Sequence, residues 1–92
     1  MGINREEISD YIEEHGMEGV LLADGLEGAF IGGSCGFGPN KAVYDWDKCV
    51  EIYIKRDGMS GEEAIEHMGF NVTGAYMGEQ TPEFIFVYGT DY

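Results

Sequence analysis

Ninety-two residues carrying 18 Asp and Glu against 5 Lys and Arg, a net charge of −13, allow one acidic domain over residues 1–92, with a modest core. Five Phe, six Tyr and one Trp within a 43% hydrophobic chain are too much packing material for a disordered acidic tail. A field of that sign repels nucleic acid and anionic membranes and draws in basic protein surfaces, so direct nucleic-acid binding and membrane association are not expected.

The first helix is expected from Arg5 to His15, because Asn4 followed by Glu7 forms a capping-box pattern and Gly16 supplies a stop. At 100° per residue Ile8, Tyr11 and Ile12 share one arc, and Glu6, Glu7, Asp10, Glu13 and Glu14 fall within about 120° on the opposite side. From Val20 to Phe37 short apolar runs are broken by glycine. One or two strands are expected, around Val20 to Ala23 and Gly28 to Gly32, joined by a turn at Asp24-Gly25, a hairpin signal, or by a longer loop through Leu26 and Glu27. Gly36 to Lys41 is expected as a loop, and Ala42-Val43-Tyr44 as a short extended lead into the next helix.

That second helix follows Asp45, a suitable N-cap, and runs to about Arg56, with Trp46, Cys49, Val50, Tyr53 and Ile54 on its apolar face. Ile52 lies off this arc between Lys48 and Lys55, which makes it a candidate seam for self-association or a partner. Asp57-Gly58 ends the helix. Ser60 and Glu63 make a second capping box, opening a short helix with Ala64, Ile65 and Met68 inward and Glu62, Glu63 and Glu66 outward. The two helices should pair as a helical hairpin. Alternation from Phe70 to Met77 suggests extended chain, Gly78 to Pro82 a turn, and Glu83 to Tyr88 a central strand covered on at least one side. The fold class expected is α+β, a small antiparallel or mixed sheet packed against about three helices.

Several patterns invite a chemical reading. Gly32 to Gly38 is glycine-rich after a strand, where backbone amides can cradle a phosphate, so Gly33, Ser34, Cys35 and Gly36 form a candidate ligand loop. The run matches neither GxxxxGK[ST] nor GxGxxG, and a plain turn explains it as well. A cysteine nucleophile at Cys35 would need His15 or His67 as its base, yet both sit near helix ends, where the dipole accounts for them. Asp45 and Asp47 fit helix capping better than metal binding, and no zinc-type spacing of Cys and His occurs. Cys35 and Cys49 are expected as free thiols; no cofactor, metal or catalytic residue is expected. No apolar run approaches the length of a membrane span and the N-terminus lacks the character of a secretory signal, so a cytoplasmic setting is expected. The acidic faces remain: Glu6, Glu7, Asp10, Glu13 and Glu14 on the first helix and Glu62, Glu63 and Glu66 on the third can imitate the charge of a nucleic-acid backbone.

Tyr44-Asp45-Trp46-Asp47-Lys48-Cys49, the Asp57-Gly58-Met59-Ser60 turn with Glu62-Glu63-Ala64, and Phe70-Asn71-Val72 with Gly74-Ala75 and Gly78-Glu79 resemble a family of small acidic proteins of tailed bacteriophages and prophages. Leu26 to Gly32 is also similar. The resemblance covers about half the chain and assigns no catalytic residues. It implies a setting in the host cytoplasm and a role in host takeover or counter-defence, as with anti-CRISPR proteins and DNA mimics. The partner would be a basic surface on a host nucleic-acid-binding protein. Basic residues usually precede the equivalent of Phe37 in that family, and here Ser34-Cys35-Gly36 stands instead. The alternatives are an oligomer that sequesters a nucleotide signal near the glycine-rich loop and a virion assembly component.

Overall fold

The chain enters its first helix, α1 (Arg5–Glu14), through the expected capping box, with the Asn4 side chain accepting from the Glu7 amide and Glu7 returning a bond to the Asn4 amide. The computed structural model describes residues 4–72, 74 and 76–89. Ile8 is fully buried, Tyr11 and Ile12 pack against the core, and Gly16 (φ 64°) turns the chain away.

The sheet has three strands in the order β1 (Phe30–Ser34), β2 (Lys41–Asp45) and β3 (Glu83–Ile85). β1 and β2 are antiparallel across the glycine-rich loop, with a register shift between Phe30 and Gly32. β2 and β3 are parallel, pairing Val43 with Glu83 and Tyr44 with Phe84. The crossover between them holds α2 (Trp46–Asp57), α3 (Gly61–His67) and a π-helical turn over Met68–Val72. A mixed sheet against three helices is the α+β architecture anticipated, and α2 with α3 forms the anticipated hairpin. Gly58 (φ 70°) closes α2, and the Ser60–Glu63 capping box opens α3.

Four strand-level expectations are corrected. Val20 to Ala23 is not a strand: the Leu21 amide bonds the Gln80 carbonyl and the Ala23 amide bonds the Tyr44 hydroxyl, so these donors find isolated partners in place of a ladder. Asp24-Gly25 is a turn but not a hairpin, since a 3-10 turn over Glu27–Ala29 follows and buries Leu26 and Ala29 before β1 begins at Phe30. Phe70 is no start of an extended run: helical spacing keeps Met68 buried and Val72 against the core, four residues apart. Thr73 and Ala75 of that expected run lie outside the described residues. Glu83 to Tyr88 forms a three-residue edge strand, not a central one, and Phe86 and Tyr88 are exposed beyond it.

The core gathers Ile8, Leu26, Ala29, Phe30, Ala42, Tyr44, Cys49, Tyr53, Ala64 and Met68. Tyr44 is its centre, stacked on Phe84 at 5.4 Å and meeting Phe30 edge-on at 5.7 Å. The apolar arc of α2 is rotated from the expected one: Ile52 is half-buried against the core while Ile54 is exposed, because the helix packs on both α3 and the 3-10 turn. Ile52 therefore offers no exposed seam. Ile65 of α3, expected inward, is also exposed.

Candidate functional site

The acidic face of α1 is set by how the helix is pinned. Arg5 pairs with Asp24 at 2.5 Å and Glu27 at 3.4 Å, Tyr11 meets the Phe30 ring edge-on, and Ile8 goes into the core. The hydrogen bond to Asp24 raises the Arg5 pKa above its usual value. An exposed pair like this stabilises by well under about 1 kcal/mol, so its effect is mainly to fix the helix rotation. Glu6, Glu7, Asp10, Glu13 and Glu14 are left exposed on one helix, as anticipated.

This placement works against the helix. Glu6 with Asp10, Asp10 with Glu13 and Asp10 with Glu14 are like-charge neighbours at helical spacing, each destabilising by about 0.2–0.5 kcal/mol. Glu13 and Glu14 also occupy the C-terminal turn, where the dipole disfavours anions, and that turn has no basic residue. Among the described residues the ion pairs engage Asp24, Glu27, Glu51 and Asp57, and none uses a carboxylate of α1.

The carboxylates of α3 are arranged differently. They are fewer: Glu63, like Glu7 on α1, closes a capping box, and Glu62, Glu63 and Glu66 are all exposed. α3 packs on α2, whereas α1 is pinned to β1 and the Asp24–Glu27 segment. The eight acidic residues singled out from the sequence thus belong to two separately anchored helices, and α1 carries the denser set.

The glycine-rich loop uses its polar groups internally. Ser34 Oγ accepts from the Lys41 amide at 3.1 Å, and its carbonyl accepts from Asn40 Nδ2 at 2.8 Å. A side chain on Gly33 would collide with the end of Met17, so glycine there allows close packing. Cys35 and Gly36 are exposed at the loop. An open hollow of about 510 Å³ lies beside this loop, lined by Phe37, Lys41, Tyr76, Glu79 and Glu83 among others, and none of Gly33, Ser34, Cys35 and Gly36 lines it. Sequence reasoning passed over Phe37 and Tyr76; a lone aromatic between Gly36 and Gly38 was the available signal.

The other candidates resolve into structural roles. Asp45 is buried and its Oδ1 accepts from the amides of Asp47 and Lys48, so it caps α2. His15 is the C-cap of α1, stacked on Tyr11, and His67 ends α3 with its ring against Tyr53. Both cysteines are free, Cys35 exposed and Cys49 buried. Burial, with help from the Asp45 charge, pushes the Cys49 thiol up to about 12, where the thiolate is scarce at neutral pH. Iodoacetamide at pH 7.5 should add one group to the native protein, at Cys35, and two in 6 M guanidinium. Native alkylation of Cys49, read by peptide mass spectrometry, would contradict its burial.

Among the described residues no helix is long and apolar enough to cross a membrane. Searches for a matching family model, a matching curated protein and a matching solved structure found none.

Proposed function

We propose that this chain is a phage-type binding protein that inhibits or modulates a host nucleic-acid-directed or defence machine by seating α1 on a basic protein groove. The observation that carries this reading is a helix loaded with mutually repelling carboxylates that no intramolecular ion pair among the described residues engages. Such charges cost the fold stability and gain from a cationic partner. Their density suits a nucleic-acid groove: from Glu6 to Glu14 the helix rises about 12 Å and carries five carboxylates. One DNA strand places about three or four phosphates over that length. The resemblance of Tyr44 to Cys49 and the Asp57 to Ser60 turn to small acidic phage proteins supports the same setting.

The test is charge reversal at Glu6, Asp10 and Glu13, each to Lys, in the full chain. Partners captured from bacterial lysate and purified would be titrated against both proteins. At 50 mM salt the triple variant is expected to bind at least about tenfold more weakly, with the gap closing as salt rises. The partner's own nucleic acid should compete for the same site. Equal affinity of the two proteins at low salt would sink the reading.

A further inference from the structure

By the alternation of strands, Ala42, Tyr44 and Phe84 face the core, so Lys41, Val43, Glu83 and Ile85 turn to the other side of the sheet. The hollow of about 510 Å³ opens next to that side, between the hairpin loop after β1 and the segment leading into β3. Two aromatic residues from different segments, Phe37 (111% exposed) and Tyr76 (78% exposed), line it together with Glu79, Glu83 and Lys41.

We propose that this hollow takes an arginine side chain of the basic partner, an inference that rests on the partner being a cationic protein. A guanidinium is planar: it stacks on aromatic faces while its edge donates paired hydrogen bonds to a carboxylate. Phe37 and Tyr76 supply the faces, and Glu79 and Glu83 the acceptors. Lys41 leaves the carboxylates one charge in excess, and the chain around them carries −13. A nucleotide base would stack on the same rings, but its phosphates would meet two carboxylates in a repelling field with Lys41 alone to answer them.

The walls are held in place before any ligand arrives. Gln80 Nε2 donates to the carbonyls of Glu18 (3.0 Å) and Asn40 (3.1 Å), tying the segment before β3 to the hairpin loop. Thr81 Oγ1 accepts from the Met77 amide and donates to the Gly78 carbonyl, both at 2.7 Å, which fixes the intervening turn. Pro39 and Pro82 stiffen the two sides. Binding then orders little besides the exposed rings.

The experiment uses a fluorescein-labelled Gly-Arg repeat peptide with three arginines, and its citrulline counterpart, which keeps the shape and loses the charge. Anisotropy titrations at 0.3 M salt compare the wild-type chain, Phe37→Ala with Tyr76→Ala, and the Glu6, Asp10 and Glu13 reversal. The citrulline peptide is expected to bind at least tenfold more weakly. The double aromatic variant should lose at least fivefold for the arginine peptide, and the α1 reversal less than twofold. Both rings are exposed, so the double variant keeps its fold, as its circular dichroism would show. Unchanged peptide affinity in the double variant overturns the proposal. So does ATP raising the wild-type melting temperature where the arginine peptide raises none. A partner whose affinity falls with the aromatic variant but not with the α1 reversal would retain the hollow and refute the α1 reading; the converse would refute the hollow alone.

Discussion

Tyr44→Ala is expected to destabilise the protein by about 3–5 kcal/mol, lowering the urea midpoint by at least about 1 M. The ring is fully buried between Phe30 and Phe84, so its removal leaves a cavity bounded by two aromatic side chains that the β1–β2–β3 sheet holds apart. A domain of this length has about 5–14 kcal/mol in all, so this one residue accounts for a large share. Tyr44→Phe separates the ring from the hydroxyl. It keeps the stacking and takes away the acceptor that the Ala23 amide uses at 2.9 Å, costing about 1–2 kcal/mol. If the two variants were equally destabilised, the hydroxyl bond and not the ring would hold the segment before β1, and this account of the core would be wrong.

Alkali should unfold the protein through its buried acids. Burial pushes the Cys49 thiol up to about 12 from 9.0 and raises the Tyr44 and Tyr53 hydroxyls above 10.0. In each case the folded chain keeps a proton that the unfolded chain releases. Between the unfolded and folded values the unfolded chain binds fewer protons, so the free energy of unfolding falls as pH rises. For Cys49 the window runs from about pH 9 to about 12, with a slope approaching about 1.4 kcal/mol per pH unit. Urea midpoints measured from pH 8 to 11 are expected to be level at first and then to decline, and Cys49→Ala should flatten the decline that begins near pH 9. A midpoint independent of pH up to 11 would contradict the burial of these groups.

Which parts of the molecule were legible in the sequence follows from how far each signal reaches. Helix ends are local: Asn4 with Glu7, Asp45, and Ser60 with Glu63 each satisfy amides within three residues, and all three caps are in place. Strands depend on distant partners. Val20 to Ala23 has strand-like composition, yet its Leu21 and Ala23 amides are satisfied singly by Gln80 and Tyr44. Lys41 to Asp45 is the middle strand, of which only Ala42-Val43-Tyr44 was read as extended, as a lead into α2; the signal was the small apolar Ala42 and the aromatic Tyr44 two residues apart, both buried. The acidic face of α1 was readable because helical spacing alone defines it. The hollow beside the glycine-rich loop was not, because Phe37 and Tyr76 are 39 positions apart and their segments meet through long-range contacts, the parallel β2–β3 pairing and the bonds of Gln80 to Asn40 and Glu18.

β3 ends the sheet, and on its outer side the described residues set no further strand against it. An edge strand is in general a template on which another copy of the same chain can add its own strand, the first step of aggregation. Two copies approaching there would each bring a charge of −13, with Glu83 on the edge strand itself. Long-range repulsion then acts before the short-range backbone bonds can form. The acidity therefore has a second effect, independent of any partner: it opposes the approach of one such edge to another.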